Sequence, residues 1–278
     1  MKRNSIVGVA LLALLAGCAT SQSKKEAEKK LPTPAEQLAA KAEELRQAVE
    51  ADTGNVELHY RYGNALFDLQ QYPAAQAQYE AAIDLQPDFA AAHCNLGLAL
   101  RLQGKYEEAI ESYRKALHYE PDDVDTLGNL IAALRATGKV DEILEPMRQL
   151  AKLKPDDVTV QSELADILFR QKKYEEAIPV YQEVIRLDPG LSDDFYNLGL
   201  CYFSLDKLDT ALTTWLTALA HDPKNASARK GIAVIYWRRG EYDSAWKAVA
   251  DCERNGISVD SEFLSKLRED SGRLGPGS

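Results

Sequence analysis

Four histidines, His59, His93, His118 and His221, are the side chains best suited to bind a metal or move a proton near neutral pH. None has a second ligand at metal-site spacing, and His59 and His93 recur at one helical position that suits half-buried packing. The sequence contains no HExxH, no glycine loop to cradle phosphate and no Ser/His/Asp set. Hydrolysis, phosphoryl transfer and redox chemistry therefore lack a site, and the sequence predicts a non-enzyme with no metal and no cofactor. Of the four cysteines, Cys94, Cys201 and Cys252 read as free, largely buried thiols acting as small hydrophobes, with pairing left open in an oxidising compartment. Cys18 is different, because it closes an uncharged apolar run, Ile6 to Ala16, that follows Lys2 and Arg3. That run is about half the length of a membrane-spanning helix, so it reads as a signal peptide.

The ending Leu15-Ala16-Gly17-Cys18 resembles the lipobox of bacterial lipoproteins. A secretory signal followed by a chance cysteine is the bland alternative. The resemblance implies that residues 1–17 are a lipoprotein signal peptide and that the Cys18 thiol carries diacylglycerol, with palmitate as the usual acyl chain. More than one acyl chain meets the two-signal requirement for stable anchoring. Ala19, in place of the Asp that retains such proteins in the inner membrane, implies the outer membrane with the body facing the periplasm. Residues 18–33 are polar and charged, and read as a flexible tether.

The body that this anchor would hold is acidic. Against 43 Asp and Glu stand 33 Lys and Arg, a formal charge of -10, which repels a phosphate backbone and argues against nucleic acid as a partner. Many Ala, Leu and Tyr with few Phe, Gly and Pro favour helices.

Pro87, Pro121, Pro155, Pro189 and Pro223 are spaced by 34 residues, which only a repeat produces. In blocks of 34 from Val56, Gly63, Gly97, Ile131, Ala165, Gly199 and Ala233 share one position. Ala75, Ala109, Ile143, Ala177, Ala211 and Ala245 share another, and Tyr79, Tyr113, Met147, Tyr181, Trp215 and Val249 a third. Each block has two apolar stretches at helical spacing separated by a break such as Gln103-Gly104-Lys105, the pattern of a helical hairpin. Small residues let two helices approach while an aromatic fills the space beside them. The proline ends the second helix, and stacking must cover the apolar face that one hairpin leaves open.

The pattern resembles the tetratricopeptide repeat over residues 56–259. It predicts an all-α solenoid of six tandem hairpins with flanking capping helices. Thr33-Pro34-Ala35-Glu36 has the order of an N-cap, first-turn proline and capping-box glutamate, and opens a helix over 34–51 in an N-terminal cap of residues 34–55. A C-terminal helix is expected within 260–270, and a disordered tail over 271–278. Block three departs most. Its Ile131, Ile143 and Leu150 crowd three small positions, so its helices should be pushed apart or re-angled. Pro146 and Pro179 are expected inside the second helices of blocks three and four, favouring kinks.

The resemblance implies that first helices line a concave groove through their second, fifth, sixth, ninth, twelfth and thirteenth positions. These place Tyr60, Asn64 and Phe67 there in block one, Asn95 and Arg101 in block two, and Asn129 and Arg135 in block three. Block four adds Phe169 and Arg170, with Asp166 beside them. Block five adds Tyr196, Asn197 and Phe203, and block six Lys230, Trp237 and Arg238. Asn95, Asn129 and Asn197 resemble an asparagine ladder that holds a peptide backbone. Arg61, Glu163 and Gly231 interrupt it. Phe203 and Trp237 are expected as apolar anchors over blocks five and six, packing against the neighbouring hairpin being the competing role. The chain also resembles six-repeat outer-membrane lipoproteins, among them the pilotins of type IV pilus secretins. That implies a lipid-anchored adaptor binding a segment of another envelope protein, a secretin being one such partner. The alternatives are a self-associating or bridging envelope scaffold, or an adaptor for barrel assembly or a cell-wall enzyme.

Overall fold

The computed structural model describes residues 32–273 and 275. Residues 1–31, which include the expected signal peptide, Cys18 and most of the tether, lie outside the described residues, as do Leu274 and residues 276–278 of the expected tail. The described residues form an all-α array of fourteen α-helices, and none of these is long and apolar enough to cross a membrane. The chain divides into two compact units, residues 1–87 and 88–278.

The first unit holds α1 (Pro34–Ala51), α2 (Val56–Asp68) and α3 (Tyr72–Leu85). A capping box opens α1: the Glu36 backbone N–H donates to the Thr33 hydroxyl at 3.3 Å, and the Thr33 N–H donates to the Glu36 carboxylate at 2.7 Å. These two bonds satisfy donors that the first helical turn cannot. Ala42 and Leu45 of α1 are buried with Ala65 of α2. The Asn55 side chain caps α2 by accepting from Leu58 N–H. The α2–α3 hairpin closes over Gly63, where a Cβ would lie 2.6 Å from the Tyr79 ring.

The second unit continues the alternation. Block two is α4 (Ala90–Leu102) and α5 (Tyr106–Tyr119), and block three α6 (Val124–Ala136), a 3-10 turn Val140–Glu142 and α7 (Leu144–Leu153). Block four is α8 (Val158–Arg170) and α9 (Tyr174–Leu187), and block five α10 (Ser192–Ser204) and α11 (Leu208–His221). Block six is α12 (Ala226–Arg238) and α13 (Tyr242–Arg254), after which α14 (Ser261–Ser271) closes the unit. Asp123, Asp157 and Asn225 cap three of the first helices by accepting a backbone N–H three residues on. The chain reverses inside a hairpin through a left-handed residue, Gly104 at φ 79° in block two, but Lys172 and Asp206 at φ 59° in blocks four and five. There the turn tolerates some backbone strain rather than using glycine.

The repeated small and aromatic positions form the core. Tyr113, Tyr181 and Trp215 are all buried to within 1% of their surface. Gly97 faces Tyr113, and a Cβ there would come within 2.5 Å of the ring. Trp215 is wedged between two glycines: a Cβ on Gly199 would lie 2.1 Å from its Nε1, and one on Gly231 2.5 Å from its six-membered ring. Gly231 breaks the asparagine series because the Trp215 ring of block five fills the space that a side chain there would take. Block three inverts the rule, with Ile131 in the small position and Met147 in the aromatic one, both buried.

The two internal prolines behave differently from each other. Pro179 lies inside α9, which is one unbroken helix. Pro146 is the third residue of the shortened α7 and so lies in its first turn, where no intrahelical hydrogen bond is lost. A proline at 146 cannot donate to the Glu142 carbonyl and its ring crowds that carbonyl, which disfavours an α-helix through Val140–Glu142. The chain takes a 3-10 turn instead.

Helix α14 lies in register with a seventh first helix. Its Leu267 is fully buried, and Trp246 Nε1 of block six donates to Ser271 Oγ at 3.0 Å. Neighbouring blocks are also tied by ion pairs, Arg135 to Glu163 at 2.8 Å and Arg148 to Glu176. All of these side chains are at least a third exposed, so each pair adds little stability by itself.

Candidate functional site

In the first unit the three expected groove residues take part in the hairpin's own packing. The Tyr60 ring lies 6.1 Å from Tyr79, Tyr79 Oη donates to Asn64 Oδ1 at 2.8 Å, and Phe67 meets Tyr72 edge-on at 5.3 Å.

In the second unit the same positions are more varied. Asn95 of α4 and Asn129 of α6 line one pocket of about 230 Å³, together with Cys94, Leu98 and the acidic Glu120, Asp123 and Asp125. Arg101 lies beside the buried Tyr113 hydroxyl, and among the described residues neither Arg101 Nε nor Tyr113 Oη meets a partner at hydrogen-bond geometry. Burial pushes the Tyr113 phenol up to about 12, with the Arg101 guanidinium opposing the rise. In block four Tyr181 Oη donates to Asp166 Oδ1 at 2.6 Å, and burial first, then the carboxylate, raises this phenol further. The difference follows from the ninth position, an acceptor in Asn64 and Asp166 but an aliphatic side chain in Leu98.

Arg135 is bound to Glu163, and Phe169 meets Tyr174 edge-on at 5.6 Å. Arg170 is exposed, and among the described residues it makes no ion pair or hydrogen bond. Arg135, Glu163, Asp166 and Arg170 line a second pocket of about 510 Å³ whose apolar walls are Val140, Ile143 and Ile167. Val140, Ile143, Glu163 and Ile167 are the site residues that sequence reading misses. Pro146 was the available signal, since its effect on the preceding turn puts Val140 at the pocket.

Tyr196 stacks on Trp215 at 5.7 Å, and burial raises its phenol. The Asn129 and Asn197 amides make no hydrogen bond among the described residues, and both are partly exposed on first helices. Phe203 lies 5.8 Å from Trp215 and is covered on its other side by Arg238, whose guanidinium carbon is 4.9 Å from the ring centroid. Arg238 also pairs with Asp206 at 2.8 Å. Trp237 meets Phe263 of α14 edge-on at 5.9 Å and donates its indole N–H to Asp270 at 2.7 Å. Both expected anchors are thus partly engaged within the protein. Lys230 is half-buried and makes no ion pair among the described residues.

The other face carries two clefts of about 590 and 420 Å³. Their linings correspond three blocks apart: Leu117 with Leu219, Leu130 with Ile232, and Gln149 with Asp251. They are the furrow between successive second helices that the repeat itself produces. Burial raises the thiols of Cys94 and Cys252 and pushes Cys201 up to about 12, so none is a ready nucleophile. Among the described residues no group of His, Cys, Asp and Glu could hold a metal ion.

Two family models described as tetratricopeptide repeat match this chain, one over residues 60–125 and 196–252 and the other over residues 100–167. A third, described as TPR repeat, matches residues 165–206. YrrB, described as a TPR protein with an unusual peptide-binding site, is 24% identical over 67% of this chain and 96% of its own, with a TM-score of 0.52. The Naa15/Naa10 complex bound to HypK-THB superposes with a TM-score of 0.70, at 15% identity, over 94% of this chain and 39% of its own. MamA from Desulfovibrio magneticus RS-1 gives a TM-score of 0.48 at 22% identity, over 62% of this chain and 97% of its own. No curated protein sequence matches the chain.

Proposed function

Because the chain belongs to the tetratricopeptide-repeat family, we propose that it is a protein-interaction adaptor whose first-helix face takes an extended segment of another protein. One observation carries this reading. Within residues 88–278 two pockets open between consecutive first helices, and the partly exposed amides of Asn129 and Asn197 stand on that face without partners among the described residues. An amide offers both a donor and an acceptor, which is what the backbone of an extended segment requires. Tyr196, Lys230 and Arg238 add the aromatic and cationic surface typical of interface anchors. Peptides selected by display against the purified chain should lose about tenfold or more in affinity to the Asn129→Ala/Asn197→Ala double variant, since each lost amide pair costs about 0.5–1.5 kcal/mol. Affinity unchanged in the double variant would refute the assignment.

The finer reading places this adaptor at a membrane. The lipobox-like ending at Cys18 supports acylation there and a body held in the periplasm at the outer membrane, with another envelope protein as partner. A type IV pilus secretin is the partner suggested by the resemblance to pilotins. Cys18→Ser should abolish acyl labelling and membrane fractionation in cells. Labelling retained in that variant would rule Cys18 out as the anchor.

A further inference from the structure

Blocks one and four fill the junction between their two helices with a pair of rings, Phe67 on Tyr72 at 5.3 Å and Phe169 on Tyr174 at 5.6 Å. In block five the first of these positions is Phe203, and the next block covers it with Arg238 at 4.9 Å. Arg238 is the thirteenth residue of its block and Phe203 the twelfth of the block before. In block three both rings are missing, because Arg135 and Val140 occupy their positions. Arg135 is drawn aside to Glu163 at 2.8 Å, and the 3-10 turn before Pro146 leaves Val140 58% exposed. What is left is the pocket of about 510 Å³ walled by Val140, Ile143 and Ile167. Arg170 stands at its edge, related to Arg135 as Arg238 is to Phe203. It is placed to cover a ring that block three does not supply.

We propose that this pocket takes an aromatic side chain of the bound segment, its ring replacing the one block three lacks, between the three aliphatic walls and the Arg170 guanidinium. This rests on the first-helix face being the binding face. The pocket falls in the size range of small-ligand sites, and an aliphatic side chain would use its walls but leave Arg170 without a π face. Asp141 and Asp166 also border the pocket, so residues flanking the aromatic are neutral or basic rather than acidic.

The test titrates the full chain with the peptides Ac-Gly-Ser-Xaa-Ser-Gly-amide, where Xaa is Trp, Leu or Ala, and follows methyl and amide NMR shifts. The Trp peptide should shift the methyls of Val140, Ile143 and Ile167 saturably and bind about tenfold or more tighter than the Ala peptide. Arg170→Gln should weaken the Trp peptide by about two- to fivefold and leave the Leu peptide unchanged. Arg135→Phe should supply the missing ring from within, abolishing these shifts while the melting transition is kept. Trp binding no tighter than Ala, or an Arg135→Phe variant that binds as the parent does, overturns the proposal. Shifts at the Asn129 and Asn197 amides without those methyls refute the pocket and leave the binding face standing. Shifts confined to Leu216 and Leu219 of the second-helix face refute both.

Discussion

Removing one oxygen atom from the same core position should have opposite effects in two blocks. Tyr113 and Tyr181 are both fully buried, yet Tyr181 Oη donates to Asp166 at 2.6 Å while Tyr113 Oη has no acceptor. Tyr181→Phe loses a hydrogen bond to a carboxylate that is itself partly exposed, so water recovers part of the loss, and the cost should be about 1–2 kcal/mol. Tyr113→Phe keeps the ring against Gly97 and removes a buried hydroxyl that has no acceptor and only the neighbouring Arg101 beside it, so the change should range from zero to a gain of about 1 kcal/mol. Urea unfolding followed by circular dichroism would measure both variants, and their midpoints should move in opposite directions or only the Tyr181 variant should lose stability. Slopes should match the parent, since neither change alters the surface exposed on unfolding. Equal destabilisation of the two variants would show that Tyr113 has an acceptor and that the ninth position does not decide the matter.

Three further expectations follow from the same packing. Gly199→Ala should cost about 1–3 kcal/mol by overpacking, because its Cβ would lie 2.1 Å from Trp215 Nε1. Gly199→Ala/Trp215→Tyr should recover much of that loss, since Ala165 and Tyr181 already coexist in block four; a double variant no more stable than the single would count against the small-for-aromatic rule. Burial raises the Asp194 carboxyl, with Asp166, Asp193 and Asp188 adding to the rise and the Ser162 hydroxyl opposing it. A raised folded pKa means that its contribution is full below the ordinary Asp range and is lost as pH rises through the folded value. Asp194→Asn should therefore raise the melting temperature at pH 7 and leave it unchanged near pH 3, and a gain at pH 3 as large as at pH 7 would contradict this. Trp237→Ala removes the contacts to Phe263 and Asp270, so hydrogen exchange across Ser261–Ser271 should speed up while α4 to α9 keep their protection. Unchanged exchange in α14 would show that Trp237 is not what holds it.

How much of this was legible beforehand depends on whether the information was local to one block. The prolines at intervals of 34, the small and aromatic columns and the Thr33/Glu36 capping box are each read within one segment, and together they state the hairpins and their ends. The wedge of Trp215 between Gly199 and Gly231 joins two blocks, so Gly231 looked like a mere gap in an asparagine series. Phe203 and Trp237 looked like a matched pair because they share a position, but their surroundings differ. One lies under Arg238 and the other against a helix that no other block meets. Pro146 was visible, and its place in the second helix was read, but not that this helix starts late: one residue further along its block than Pro179, Pro146 falls in the first turn of the helix. The pocket that results could not be read from columns, because it consists of side chains that are absent from their usual positions.

The central claim is that partners bind along the first helices, and amide and methyl shift mapping of a selected peptide on the full chain tests it most directly. The account predicts shifts concentrated on Ala90–Leu102, Val124–Ala136, Val158–Arg170 and Ser192–Ser204, with Asn129 and Asn197 among the largest. Shifts confined to Tyr106–Tyr119, Leu144–Leu153 and Leu208–His221, the second helices, would contradict it.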